Sequence, residues 1–253
     1  MNAPAAVVQL RGVTKRFGPQ TVLDGINLDI PEHQTTVIMG LSGAGKSVTL
    51  KHMIGLLKPD SGQVFVDGDD ITALEGDQIY KVRLKFGFLF QDGALLDSMS
   101  VSENVALPLK EHSRLSRTEI RDRVEEVLGQ VGLQGMGYKA PSELSGGMRK
   151  RAGLARAMVL RPRILLLDEP SSGLDPVMTD VIMALINELQ SQYKTTNVVI
   201  SHDVEATYKI AHRIAMLYKG RIHLEGTADN LKSSTDPLVR QFLDGHREGP
   251  ITL

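Results

Sequence analysis

The sequence contains no cysteine and no tryptophan, and only 4% of its 253 residues are aromatic. Without cysteine, the chain cannot form disulfide bonds, thiolate metal sites or a catalytic thiol. Neither charge dominates, because 29 lysines and arginines stand against 30 aspartates and glutamates. We therefore expect no general electrostatic attraction to nucleic acid or to an anionic membrane surface.

Long hydrophobic runs are also missing. The longest, such as 164–167 and 181–186, fall far short of the ~20 apolar residues that span a bilayer. The first residues, MNAPAAVVQLRG, lack the basic and apolar regions of a secretory signal. We expect any association with a membrane to depend on another protein.

What the sequence does contain is an alternation of strand and helix patterns. Three segments alternate apolar and polar residues, as half-exposed antiparallel strands do: 8–10, 26–30 and 64–66. Asp67-Gly68 indicates a hairpin turn after the third. Four runs are continuously apolar, as in a parallel sheet buried on both faces: 36–39, 164–167, 197–200 and 214–217. The predicted fold class is α/β, a parallel-sheet core with an antiparallel β subdomain.

Between residues 92 and 160 the apolar spacing becomes helical. We interpret this segment as a helical lobe inserted into a core made of 1–91 and 161–235, the whole chain 1–253 forming one domain. The remainder, 236–253, is a C-terminal extension. Its last part, from 244 on, has little periodicity and is predicted to be either a mobile tail or a docking arm.

Two helix starts are visible in the sequence. Ser100 and Glu103 have the spacing of a capping box, in which the two side chains bond to each other's backbone N–H groups. Asp175 followed by Pro176 suits an N-cap and a first helical residue.

Residues 40–47 read GLSGAGKS, the GxxxxGKS pattern of a phosphate-binding loop, here between a predicted buried strand and a helical segment. Glycines let backbone N–H groups surround phosphate oxygens at a helix N-terminus, where the helix dipole favours anions. Lys46 is predicted to hold the β- and γ-phosphates, and Ser47 to supply an oxygen ligand to Mg²⁺. The predicted nucleotide-binding residues are Gly40, Ser42, Gly43, Ala44, Gly45, Lys46, Ser47 and Val48.

A second phosphate-site segment is an apolar strand that ends in Asp168 and Glu169. Successive strand side chains point in opposite directions, so we expect Asp168 to reach Mg²⁺ and Glu169 to face the attacking water. Glu169 is therefore the candidate general base, a role typically worth ~10²–10⁴ in rate.

Residues 144–148 read LSGGM and resemble the LSGGQ signature of the ABC ATPase family. Ser145, Gly146 and Gly147 would form a second anion site at a helix N-terminus. The resemblance implies a P-loop fold with an inserted helical lobe, and a head-to-tail pair of chains that holds each ATP between one phosphate loop and the other chain's signature.

The other family elements occur in the expected order. The resemblance implies that Phe17 stacks on adenine, that Gln91 contacts Mg²⁺ and the γ-phosphate, and that His202 holds the γ-phosphate and orients Glu169. Asp175 closes 172–175, which resembles the D-loop that touches the second subunit. The catalytic residues implied are Glu169, His202, Gln91 and Lys46, and the metal ligands are Ser47, Gln91 and Asp168.

Two residues depart from the common family pattern. Met148 stands where most signatures have Gln, and Phe17 where many members have Tyr. We expect neither change to abolish activity. Lys150 and Arg151, which follow the signature, are predicted to lie on a solvated helix face, with contact to the second subunit as the alternative.

Within the family, residues 90–101, 148–151 and 236–245 together look like the ATPase subunit of bacterial MCE-type lipid transporters, such as the Mla system. This implies a peripheral location on the cytoplasmic face of the inner membrane. It also implies a membrane permease, an MCE lipid-binding protein and a STAS-domain protein as partners, and no nucleic acid.

Two alternatives remain open. One is the ATPase of an importer for amino acids or other small solutes, which would differ only in its partners. The other is a soluble ABC ATPase of DNA repair or translation. That reading requires coiled-coil insertions, fused ATPase halves or a basic surface, and none is evident in this sequence.

Overall fold

The computed structural model describes residues 5–251 of the chain. These residues form two compact units. The first comprises the described residues up to Leu74 together with those from Ile200 onward, and the second is Glu75–Val199.

The strands are β1 Ala6–Phe17, β2 Gln20–Pro31, β3 Thr35–Met39, β4 Ser61–Val66, β5 Asp69–Asp70, β6 Phe86–Leu89, β7 Ile164–Asp168, β8 Thr196–Ser201, β9 Arg213–Tyr218 and β10 Arg221–Gly226. The α-helices are α1 Lys46–Met53, α2 Gly76–Arg83, α3 Val101–His112, α4 Arg117–Gln130, α5 Gly146–Met158, α6 Pro176–Tyr193, α7 Val204–Ile210, α8 Ala228–Lys232 and α9 Pro237–Asp244. Within residues 5–251, none of the helices combines the length and the hydrophobicity of a membrane span.

The first unit contains the predicted antiparallel sheet, in the order β2-β1-β4-β5. The register places Val8 opposite both Ile30 and Val66, so that the apolar residues of three strands line one buried face. The predicted hairpin turn is confirmed between β4 and β5. Both of its residues, Asp67 and Gly68, have positive φ, at 53° and 84°, as a type I′ turn requires.

The first unit also contains β3 and β9, which pair in parallel, as their continuously apolar sequences predict. Strand β10 adds to the other side of β9 in the antiparallel direction and was not predicted. Its residues alternate between exposed and half-buried, because only one of its faces is covered. A short, mostly solvated strand gives little hydrophobic signal, so the sequence pattern does not indicate it.

The C-terminal segment packs on the first unit through Ile251. Buried Gln241 of α9 donates from Nε2 to the carbonyls of His246 and Arg247, and its Oε1 accepts from the N–H of Ile251 at 2.7 Å. The Ile251 side chain packs against the apolar cluster around Met216. The part of this segment up to Ile251 therefore contacts α9 and the apolar cluster, whereas Thr252 and Leu253 lie outside the described residues.

In the second unit β6 and β7 pair in parallel, and the predicted lobe, 92–160, lies within this unit. The predicted capping box at the start of α3 is confirmed, since Ser100 and Glu103 bond reciprocally. Asp175 caps α6 as predicted. Asn104, fully buried, binds the N–H and carbonyl of Leu96 at 2.7 and 3.0 Å and the carbonyl of Met99 at 3.1 Å. These bonds fix the loop that leads from β6 into α3.

Candidate functional site

The phosphate loop connects β3 to α1, and its glycines are required by its shape. Gly40 and Gly45 have φ of 149° and 101°, where other residues are strained. A Cβ on Gly40 would lie 2.2 Å from the carbonyl oxygen of Leu217, and one on Gly45 would lie 2.7 Å from a methyl carbon of Leu23. The backbone can therefore make this turn only with glycine at both positions.

Lys46 begins α1, and only 6% of its surface is exposed. Its Nζ donates to the carbonyls of Gly40 and Leu41, both at 2.9 Å, so the loop curves around the ammonium group. Ser42 and Gly43 are exposed at the rim, while Ala44, Ser47 and Val48 are half-buried. With no acidic residue in its first turn, the start of α1 presents the positive end of its dipole and a lysine to an anion.

The first unit also places Phe17 and His202. Phe17 ends β1 with 46% of its surface exposed, and the ammonium of Lys15 lies 5.8 Å from its ring centroid. Its face is thus accessible to a planar ligand. His202 is exposed between β8 and α7. The turn around it is fixed by Ser201 Oγ, which accepts from the N–H of Asp203 at 3.0 Å.

The carboxylate pair lies in the second unit. Asp168 is the last residue of β7, and both carboxylate residues are half-buried. Glu169 has already left the strand, since its φ of 48° is in the left-handed region that non-glycine residues rarely adopt. Strand alternation therefore does not set the direction of the Glu169 side chain, and that step of the sequence argument was wrong.

Lys150 is buried rather than solvated, with 5% of its surface exposed. Its Nζ donates to the main-chain carbonyls of Glu169, at 3.1 Å, and Ser172, at 2.5 Å. Burial lowers the pKa of the Lys150 amine, and the negative charges of Asp92 and Glu169 act in the opposite direction. The run of basic residues 149–151 gives no indication of these contacts.

Arg151 also departs from the predicted solvated face. It is half-buried, and its guanidinium donates to the carbonyls of Val131 and Gly132 at 3.1 and 3.2 Å. These bonds hold the end of α4 against α5, so Arg151 contributes to the packing of the second unit.

The signature residues form the start of α5. Ser145 is the N-cap, and its Oγ accepts from the N–H of Met148 at 3.3 Å. Ser145 and Gly146 are exposed, whereas Gly147 is buried, and a Cβ there would lie 2.8 Å from the terminal methyl of Met178. The N-terminus of α5 is thus accessible to a ligand at Ser145 and Gly146, whereas Gly147 packs against α6.

Gln91 follows β6 and is exposed, with its Nε2 donating to Ser172 Oγ at 3.3 Å. The next turn is held against α5, because Arg156 donates to the carbonyls of Gly93 and Ala94 at 2.9 and 2.8 Å. The structure therefore brings three predicted segments of this unit together: the one after β6, the one after β7 and the signature helix.

Asp175 is exposed, and one of its carboxylate oxygens accepts from the N–H groups of Val177 and Met178, each at 3.0 Å. The carboxylate is thus occupied in capping α6, the use that the sequence also predicted for it.

Residues 23–172 match the family described as ABC transporter. The chain is 46% identical over 244 residues to the probable ribonucleotide transport ATP-binding protein mkl of Mycobacterium leprae, covering 96% of this chain and 70% of that protein. It is 42% identical over 247 residues to MlaF, the intermembrane phospholipid transport system ATP-binding protein of Escherichia coli K12, covering 98% and 92%. Among solved structures, the dimeric ATP-binding cassette MJ0796 bound to ADP and Pi aligns with a TM-score of 0.81 and 35% identity, covering 87% of this chain and 98% of that one.

Proposed function

Because this chain belongs to the ABC transporter family, we propose that it powers phospholipid transport in a bacterial envelope by binding and hydrolysing ATP. The observation that carries the proposal is that one chain contains a complete phosphate loop, a strand that ends in two acidic residues and a signature helix. The choice of phospholipid is supported by the MlaF likeness and by residues 90–101 and 236–245, which resemble MCE-type ATPases.

The geometry of the phosphate loop supports the roles that we propose for its residues. The N–H groups between Gly40 and Val48, with the Lys46 ammonium, supply positive charge to the β- and γ-phosphates. Ser42 and Gly43 are accessible at the rim. Phe17 offers an exposed ring on which adenine stacks.

The hydrolytic roles fall to the remaining polar residues. Glu169 positions or deprotonates the attacking water, His202 holds the γ-phosphate, and Gln91 senses its presence. The donors suited to Mg²⁺ are the hard oxygens of Ser47, Asp168 and Gln91, and this ion keeps several waters and needs few protein ligands. When bound, Mg²⁺ offsets the charge of the phosphates.

The signature supports a pair of chains. Ser145 and Gly146 are exposed at the start of α5, where a phosphate would accept from backbone N–H groups. A second copy of this chain, arranged head to tail, would supply the γ-phosphate that this surface binds. ATP then holds the pair closed, and hydrolysis lets it open, because only the γ-phosphate distinguishes the two states.

A membrane permease is the proposed recipient of this motion. Directly beside Gln91, the second unit has a groove of about 750 Å³ whose lining includes Phe88, Phe90 and Leu96. Phe90 and Leu96 are 42% and 43% exposed. Large apolar side chains exposed together at a concave surface are typical of a site that binds another protein.

The remaining partners are proposed from the MCE-type resemblance. They are an MCE lipid-binding protein and a STAS-domain protein, with the chain located peripherally at the cytoplasmic face of the inner membrane. A groove of about 540 Å³ between α3 and α4, lined by Ala106, Ile120 and Val124 among others, is the surface we assign to the STAS-domain protein.

The test is to extract native membranes in mild detergent, isolate the complex through this chain and identify its proteins and lipids by mass spectrometry. We expect a permease, an MCE protein and phospholipid. A permease with a soluble-solute receptor, or a complex carrying ribonucleotides as the mkl likeness suggests, would contradict the lipid assignment. Ribosomes or DNA without a permease would contradict the transporter itself.

A matched pair of variants tests the groove in the same experiment. Leu96→Asp places a charge in the groove and should lose the permease from the isolated complex. Leu56→Asp places the same charge at a residue of similar exposure, 48%, in the first unit, and should retain it. Equal recovery of the permease with both variants would show that the groove is not the docking surface.

A further inference from the structure

Lys150 has a buried ammonium group, which the stability of the fold alone does not require. Its ammonium is buried, and the two bonds recorded for it go to main-chain carbonyls, those of Glu169 and Ser172. Taking an ammonium out of water is costly, and hydrogen bonds to neutral carbonyls return only part of that cost. An apolar side chain of similar length would fill the same space without this penalty.

The two carbonyls belong to the turn that follows the carboxylate pair. The Glu169 carbonyl also accepts from the N–H of Ser172 at 3.1 Å, which closes the turn. Glu169 itself has a φ of 48°, a conformation that persists only where its surroundings hold it. A charge-assisted donor on both carbonyls supplies such a restraint.

The other end of Lys150 is fixed to the signature. It lies in the first turns of α5, five residues after the N-cap Ser145. The same helix holds the turn after Gln91, because a Cβ on Gly93 would lie 2.8 Å from the carbonyl oxygen of Arg149, and Arg156 binds the Gly93 carbonyl. A displacement of the start of α5 would therefore pull on the backbone of Glu169 through one side chain.

We propose that Lys150 is a positioning residue for ATP hydrolysis: it holds the left-handed backbone at Glu169 and links it to the helix that begins at Ser145. The link ties the geometry of the water-activating carboxylate to the position of the helix whose start binds phosphate. This inference rests on the proposed ATPase function, since it assigns no chemistry of its own to Lys150.

The test is Lys150→Met in the full chain, isolated with the proteins that co-extract from native membranes. We expect kcat for ATP hydrolysis to fall about 10- to 100-fold, the size of effect that a misplacement of about 1 Å in an active site causes. The KM for ATP and the affinity for ADP should change less than about twofold, because the phosphate loop is untouched. The thermal midpoint should not fall, since a buried charge has been removed.

Two further variants separate positioning from packing. Lys150→Gln keeps N–H donors on a shorter side chain and should retain more of kcat than Lys150→Met. Lys81→Met makes the same chemical change at an exposed position of α2 and should match the wild type. If Lys150→Met does not fold, a kcat for Lys150→Gln that falls while its KM and thermal midpoint hold supports the inference.

The inference is overturned if folded Lys150→Met turns over ATP like the wild type, or if every Lys150 variant loses kcat only in proportion to its folded fraction. If the wild-type complex itself hydrolyses no ATP, the proposed function fails, and this inference fails with it. An active wild type with an equally active Lys150→Met removes the role of Lys150 alone.

Discussion

Glu169 combines the carboxylate that we propose positions the attacking water with a constrained backbone. The carboxylate follows the end of β7, its φ is 48°, and its carbonyl binds both Ser172 and Lys150. A water-positioning carboxylate must be held within a fraction of an ångström of its productive place. The turn after Asp168 provides that restraint through the main chain.

We therefore predict that Glu169→Gln reduces kcat for ATP hydrolysis by about 10²- to 10⁴-fold, because the amide cannot accept a proton from water. ATP binding, measured with a fluorescent analogue, should be retained. The control is Glu188→Gln, the same change at an exposed position of α6. Turnover of Glu169→Gln close to that of the control would exclude Glu169 as the base.

His52 gives the fold a pH dependence. It is buried in α1, its Nδ1 lies 2.8 Å from the Val48 carbonyl, and burial lowers its pKa below the usual 6.5. In the unfolded chain the imidazole takes up its proton near pH 6.5, whereas the folded protein resists protonation until the pH is lower. Its contribution to stability is therefore present above pH 6.5 and declines as the pH falls towards the folded-state pKa.

The expected result is a thermal midpoint that drops between pH 6.5 and pH 5 in the wild type and drops less steeply in His52→Gln. The comparison uses the difference between the two proteins at each pH, so that titration of the other groups cancels. Parallel curves for wild type and variant would contradict the account.

At the scale of elements, local signals predicted much of the fold. Strands β3, β7, β8 and β9 coincide with the four apolar runs, and the capping box at Ser100 begins α3 as its spacing requires. These elements were predictable because burial on both faces and reciprocal capping each leave a mark in contiguous residues. Strand β10 left no such mark, because it is a mostly solvated strand.

In the candidate site, too, only the features that depend on contiguous residues were predictable. The phosphate loop carries its whole geometry in eight consecutive residues, from Gly40 to Ser47. Lys150 was misassigned because its partners are carbonyl groups about 20 residues away in the chain. Every residue has a main-chain carbonyl, so no pattern of residue types indicates which carbonyls accept from Lys150. The left-handed backbone at Glu169 escaped prediction because that conformation is usually marked by glycine.

The C-terminal segment is an element whose role can be measured. Deletion after Gly245 removes the partners of buried Gln241 and the packing of Ile251. An unsatisfied buried amide costs about 1–3 kcal/mol, so we predict a loss of that order in the free energy of unfolding, measured with denaturant. No loss of stability would mean that 246–251 do not pack on α9 in solution.

The same deletion tests the docking-arm alternative. Loss of the permease or of the second copy from the isolated complex would favour that alternative.

At the scale of the whole molecule, the chain has two helix N-termini that we propose bind phosphate: that of α1, after Gly45, and that of α5, after Ser145. Each presents backbone N–H groups and lacks acidic residues in its first turn. A pair of chains that share two nucleotides uses both surfaces at once. In the mechanism we propose, such a pair converts the loss of one phosphate group into separation of the chains, and the groove beside Gln91 passes this motion to a permease.

The most direct test of this account is phospholipid movement by the complex reconstituted into vesicles. A fluorescent phospholipid is followed between the vesicles and the co-isolated lipid-binding protein, with ATP or with ADP, using the wild type and Glu169→Gln. We expect movement with the wild type and ATP, and none with ADP or with Glu169→Gln. Movement at the same rate without ATP, or ATP hydrolysis that never moves lipid, would contradict it.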